Sequence, residues 1–150
     1  MRTLALCLTT STLVLLAACA DDAEAPTDGA ATPTPDALAI VCQENPDPAT
    51  DDLVRVNAPV ARDAVSSPLT VQGRIAAFEA TFQITIFDAD GNILGEEAGM
   101  SSEGQTLAPF AEDVPFSVTE ETPACLWVYE KSARDGRPIH VVQIPVLLLP

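Results

Sequence analysis

Between Val54 and Val146 the chain repeats one pattern: short runs in which apolar residues take every second position, separated by turn residues. Leu69, Val71, Gly73 and Ile75 alternate with Thr70, Gln72 and Arg74, and Phe82, Ile84 and Ile86 alternate with Gln83, Thr85 and Phe87. Val114, Phe116 and Val118 alternate with Pro115, Ser117 and Thr119. Leu126 and Val128 alternate with Trp127 and Tyr129, and Val142, Ile144 and Val146 with Val141, Gln143 and Pro145. Val54 and Val56 share a face in the same way. Successive side chains of a strand point to opposite faces, so a period of two among β-branched and aromatic residues predicts strands with one face buried. The connections Asp88-Ala89-Asp90-Gly91-Asn92 and Ala133-Arg134-Asp135-Gly136 both contain Asp-Gly, a dipeptide that tolerates the left-handed backbone of a hairpin turn. No part of residues 38–150 carries a helical stripe of useful length, and Ala77 to Ala80, with room for one helical turn, reads as a strand bend. Short strands at this spacing predict an all-β antiparallel sandwich or barrel.

The N-terminus is organised differently. Arg2 is followed by an apolar run from Leu4 to Leu16, then by Ala17, Ala18 and Cys19. A short positive region, an apolar region and a small-residue cleavage site make a secretory signal peptide, residues 1–18, to be set apart from the fold. The run is shorter than the ~20 residues of a membrane-spanning helix. Cysteine directly after the cleavage site reads as a lipobox, in which the Cys19 thiol accepts a diacylglyceryl group and the new N-terminus is acylated. Each buried methylene contributes roughly 0.8 kcal/mol, so two or three chains hold a protein at a membrane. Ala20, rather than aspartate, follows the cysteine, which leans toward an outer membrane where the cell has one. Residues 19–37 are rich in Ala, Asp, Thr and Pro without a large apolar side chain, and read as a disordered acidic tether. Such a coil averages roughly 25 Å between its ends.

Charge and cysteines bound the chemistry further. With 22 acidic against 7 basic residues and a net charge of -15, the chain has no electrostatic reason to bind nucleic acid or an anionic lipid surface. Of its 4 cysteines, Cys7 lies in the leader and Cys19 is the lipid acceptor, which leaves Cys42 and Cys125. An even pair in an oxidising compartment reads as a disulfide, with two free thiols as the alternative. The chain-entropy account gives a loop this long about 4 to 5 kcal/mol. A metal site on two cysteines and one distant histidine is a poor ligand set.

Several of these pieces, taken in order, carry a family likeness. They are Ser67-Pro68-Leu69-Thr70-Val71-Gln72-Gly73, Ala77-Phe78-Glu79-Ala80, Asp88-Ala89-Asp90-Gly91 and Phe110, followed by Tyr129 to Gly136 and Ile144-Pro145-Val146. From about Val54 to Leu148 the chain resembles the immunoglobulin-like domain of bacterial spore germination, the second Gmad type. The resemblance implies an immunoglobulin-like antiparallel sandwich of about seven strands, found alone on lipoproteins or beside other envelope domains, with no enzymatic activity. A role in germination itself is not implied, because the companion domain of the germination proteins is lacking. Cys42 and Cys125 depart from the common pattern. Cys42 precedes the first matching strand, so a bridge would pin an N-terminal extension to the strand carrying Trp127.

Candidate sites are few. His140, the single histidine, has no nucleophile and orienting group beside it in sequence, and no serine sits in a Gly-x-Ser-x-Gly setting. Glu96-Glu97, Glu120-Glu121 and Asp51-Asp52 are adjacent pairs; neighbours on a strand face opposite ways, so they read as solvated charges. Asp88, Asp90 and Asn92 resemble the start of a calcium loop, but the glycine comes fourth and Gly99 stands where glutamate is needed, so a hairpin turn competes with a weak calcium site. Glu79 and Glu130, beside aromatic residues, read as acceptors for backbone N–H groups or for Arg74 or Arg134, with recognition as the other use. Trp127 and Tyr129 share a face, either core or contact patch. The expectation is a lipid-anchored, extracytoplasmic module without catalysis or cofactor, held at the membrane by its lipid and binding an envelope protein or glycan. A calcium-binding β-domain is the alternative, and an enzyme of unrecognised type is disfavoured.

Overall fold

The computed structural model describes Leu38 and residues 41–150; the leader, the lipidation cysteine and the tether lie outside the described residues. Eight strands run in chain order as β1 (Val54–Ala58), β2 (Ala64–Val65), β3 (Leu69–Ile75), β4 (Thr81–Phe87), β5 (Ile93–Met100), β6 (Ala108–Val114), β7 (Thr122–Lys131) and β8 (Pro138–Leu148). They form a three-stranded sheet, β1-β3-β6, and a five-stranded sheet, β2-β8-β7-β4-β5. All pairings are antiparallel except β2 with β8. The strands exceed seven because the first edge divides. β1 pairs with β3, the chain then crosses to the other sheet, and β2 runs alongside the end of β8.

The alternation read from the sequence is what closes the sandwich. Leu69, Val71 and Ile75 of β3, Phe82, Ile84 and Ile86 of β4, and Ala124, Leu126 and Val128 of β7 point into one core with Ile144, Val146 and Leu148 of β8. The sheets meet where the Phe82 ring lies against that of Phe110, with centroids 4.6 Å apart. Burying each such ring contributes roughly 1.5–3 kcal/mol. β5 brings Gly99 against the Phe82 ring so closely that any Cβ would enter it.

Two expectations need correction. The strand placed over Val114 to Val118 lies earlier, at Ala108–Val114, in register with β3 from Leu69↔Val114 to Ile75↔Ala108. Pro115 has no N–H to continue the ladder. Phe116 stays in the core, but its N–H donates to the Ser67 hydroxyl at 3.0 Å instead of to a strand. The segment Ala77 to Ala80 is no strand bend. It tightens into a single 3-10 turn at Phe78–Ala80, with Ala80 N–H donating to the Ala77 carbonyl at 3.2 Å.

The outer face of the five-stranded sheet is also covered. Thr85, Cys125, Tyr129 and Val141 are buried there without belonging to the core between the sheets. The cover is the segment preceding β1. Cys42 is disulfide-bonded to Cys125 across 83 residues, with Cα atoms 5.0 Å apart. Further along, Val141 N–H donates to the Asp47 carbonyl at 2.8 Å, and Ala49 N–H donates to the Val141 carbonyl at 3.0 Å. The Cys42→Ser/Cys125→Ser protein is expected to unfold at lower urea, with about 4 kcal/mol less stability. Identical denaturation curves for the oxidised parent and the double serine variant would show that the extension is not held by the bridge.

Candidate functional site

Most residues that mark the family likeness turn out to tie the backbone together. Ser67 accepts the Phe116 N–H, as above. Glu130 of β7 reaches the 3-10 turn, where its Oε1 accepts the Phe78 N–H at 3.1 Å. This is the acceptor role, filled by a backbone donor and not by an arginine. Glu79 has φ 56 in the same turn and makes no such bond among the described residues. Arg74 donates instead to the Leu107 carbonyl, at 2.8 Å through Nη2. In the β7–β8 hairpin, Ser132 N–H donates to the Arg137 carbonyl at 2.9 Å and Gly136 N–H to the Ser132 carbonyl at 2.8 Å. Gly136 sits at φ 72, which suits glycine.

The two acidic turns are built alike. Asp88 Oδ1 accepts the Asp90 N–H at 2.9 Å and the Asn92 N–H at 2.8 Å, while its Oδ2 accepts Asn92 Nδ2 at 2.8 Å. These bonds favour the carboxylate, the Asn92 side chain first, and hold Asp88 below its ordinary range. Asn92 therefore presents its amide nitrogen to Asp88, whereas a calcium ion takes oxygen ligands. Among the described residues no three His, Cys, Asp or Glu side chains are grouped to hold a metal ion. Asp135 is lowered similarly, by the Ser132 hydroxyl first and then by the Arg137 N–H. It also meets Arg134 Nη2 at 3.2 Å.

Trp127 and Tyr129 do not form an exposed pair. Tyr129 is buried, its hydroxyl 3.3 Å from that of Thr85. Trp127 is half-buried between Phe87, at 5.1 Å between centroids, and Tyr129, at 6.3 Å. With Val41, Gln43 and Cys125 it lines a small, mostly apolar cavity of about 130 Å³.

A feature that periodicity does not show is the bulge on β8. His140 takes φ 53 inside a strand, where the register with β7 slips between Val128 and Glu130. The slip turns the N–H of His140 outward to Asp47 Oδ2 at 3.1 Å. It also lets Asn45 Nδ2 donate to the Val141 carbonyl at 2.8 Å. A left-handed backbone at a non-glycine residue is uncommon, though histidine is enriched there. Here it docks the extension, and a wide cleft of about 320 Å³ lies between Pro46 and Asp47 of that extension and the β7–β8 hairpin. His140 is thus a backbone element of the fold, with no nucleophile hydrogen-bonded to it among the described residues.

With this geometry in view, a family model, the immunoglobulin-like domain of bacterial spore germination, matches residues 53–137. The chain belongs to that family. The match runs from just before β1 to the end of the last hairpin turn and stops before β8, so Ile144-Pro145-Val146 lies beyond it. Among solved structures, the crystal structure of CopC from Methylosinus trichosporium OB3b is similar at 18% identity and a TM-score of 0.41, covering 66% of this chain and 94% of that one. Comparison with curated proteins finds no match.

The lowered Asp88 value gives a signed expectation. A carboxylate depressed by folding stabilises fully above its ordinary value of 3.8, and that contribution fades as pH falls through the lower folded value. The Asp88→Ala protein should melt below the parent at neutral pH, with the gap closing under acid. Equal melting temperatures at neutral pH would remove Asp88 from its role in the turn.

Proposed function

We propose that the chain is a lipid-anchored, non-catalytic module of the bacterial cell envelope that presents its sandwich to an envelope partner, protein or glycan. The observation that carries this reading is the Cys42–Cys125 bond. A structural disulfide suits a compartment outside the cytoplasm. It also fastens the segment arriving from the direction of Cys19 onto β7, well inside the five-stranded sheet. Membership of an immunoglobulin-like family supports the same reading. So does the use of Ser67, Glu130 and Asp135 as backbone acceptors, which leaves those side chains engaged in holding the fold. No helix among the described residues is long and apolar enough to cross a membrane, so attachment in this reading rests on the lipid.

Cells fed an alkyne fatty acid should incorporate it into the parent protein and not into the Cys19→Ala protein, which should leave the membrane fraction. Photo-crosslinking residues placed on the sandwich surface of the anchored protein should yield a discrete adduct from one face. An unlabelled parent would sink the anchor, and an absence of adducts from every face would sink the binding role.

A further inference from the structure

Basic residues are scarce in this chain, 7 against 22 acidic ones, yet Lys131, Arg134 and Arg137 all sit in the β7–β8 hairpin. They do not behave alike. Lys131 is turned aside, its Nζ donating to Gln83 Oε1 at 3.3 Å. Arg134 and Arg137 line the cleft of about 320 Å³, facing Pro46 and Asp47 of the N-terminal extension, with Ser132 and Pro138 beside them. The Arg134 side chain is 88% exposed and meets a single carboxylate, Asp135. The Arg137 guanidinium makes no ion pair among the described residues.

Both walls of the cleft are fixed. The hairpin is closed by the Ser132 and Gly136 bonds, by Arg134 N–H to Ser132 Oγ at 3.3 Å and by Arg137 N–H to Asp135 Oδ1 at 3.3 Å. The opposite wall is held by Asp47, which accepts from both His140 and Val141. The strained φ of His140 therefore has a consequence at this site, because it positions the wall.

We propose that this cleft binds a carboxylated saccharide, a sugar of the uronic acid class, on the envelope. The proposal rests on the reading of the chain as an envelope binding module and names its ligand. Guanidinium groups pair with a carboxylate through two parallel N–H donors, and Arg134 and Arg137 line the same cleft. Asp47 supplies an acceptor for ring hydroxyls, and the rings of Pro46 and Pro138 offer apolar surface to the C–H face of a sugar. The size fits a small ligand, since such sites run from about 300 to 1,000 Å³. Charge selects within the anions. Asp47 and Asp135 stand at the same cleft, so a ligand there must set its carboxylate toward the arginines and its neutral groups toward the aspartates. A saccharide with one carboxylate per ring among neutral hydroxyls meets both the arginines and the acceptors.

The test uses full-length protein extracted from membranes in detergent, disulfide intact, titrated calorimetrically with tetragalacturonate. Binding is expected to weaken as salt is raised, and to be lost when the ligand is fully methyl-esterified. Arg134→Gln/Arg137→Gln should weaken it by roughly tenfold to a hundredfold, the weight of one charge-assisted pair. Lys131→Gln should leave it unchanged. Melting temperatures equal to the parent's separate lost binding from lost folding. Arg134→Lys/Arg137→Lys, which keeps the charge without the fork, should fall between the two. The proposal is overturned by absence of binding, by equal affinity for the methyl ester, by an unaffected glutamine variant, or by hexaglutamate binding as tightly as the saccharide. If photo-crosslinking from another face still yields its adduct in the glutamine variant, the assignment of the cleft fails while the envelope-module reading stands.

Discussion

The Cys42–Cys125 bond joins a segment without regular secondary structure of its own to a strand already paired on both sides. β7 lies between β8 and β4, and its Ala124, Leu126 and Val128 fill the core between the sheets. Its other face carries Cys125, Trp127 and Tyr129, which in a simple two-layer sandwich would meet water. The extension removes much of that face from solvent, and it has few means of staying there. Among the described residues its backbone pairs with β8 at Asp47 to Ala49 against Val141, its side-chain bonds come from Asn45 and Asp47, and Val41 is buried. A covalent link that restricts the unfolded chain by about 4 kcal/mol is what lets so small a set of contacts hold a third layer. The cavity beside Trp127, lined by Val41 and Gln43, and the wall of the arginine cleft both belong to the segment it fastens.

The alternating runs made the two-sheet core legible before any coordinates, because their inward positions carry large apolar side chains. Leu69, Val71, Phe82, Ile84, Leu126 and Val128 all face where a period of two puts them. Where the inward residue has another reason to be there, the pattern goes quiet. β5 places Gly95 against the Pro115 carbonyl and Gly99 against the Phe82 ring, so steric room, and not hydrophobicity, selects its inward residues. β6 contains Pro109, Glu112 and Asp113, which break the apolar alternation; an edge strand tolerates proline because one side of its backbone is unpaired. β2 has two residues, too few for any period to register. The bulge at His140 depends on Asp47, 93 residues away, and no local signal carries a pairing of that separation.

The candidate site was legible only in its parts. Asp-Gly announced the β7–β8 turn, and the disulfide was read from the two cysteines left after the leader and the lipid acceptor were set aside. Neither observation placed Asp47 opposite Arg134 and Arg137. That juxtaposition needs the disulfide to bring the extension across the sheet and the left-handed His140 to turn the β8 backbone toward it. The sequence also grouped Trp127 with Tyr129 as one patch, and a period of two does put both on one face. It does not say what covers that face, and here the cover differs over a single pair of residues.

The division of labour among the hairpin residues bears on where specificity resides. Ser132, Asp135 and Gly136 belong to the family likeness, and each is used within the turn, as donor, acceptor or left-handed hinge. Arg134 takes the unspecified position of the Ser-Ala-x-Asp-Gly set, and Arg137 follows it directly. A turn whose fixed residues hold the backbone leaves its intervening side chains free to vary without loss of fold, as loops on rigid scaffolds commonly do. The Cys42–Cys125 pair likewise lies outside the common pattern, and it is this pair that supplies the facing wall. The cleft therefore joins residues of the matched segment, Ser132 to Arg137, to Pro46 and Asp47 of the extension that precedes it.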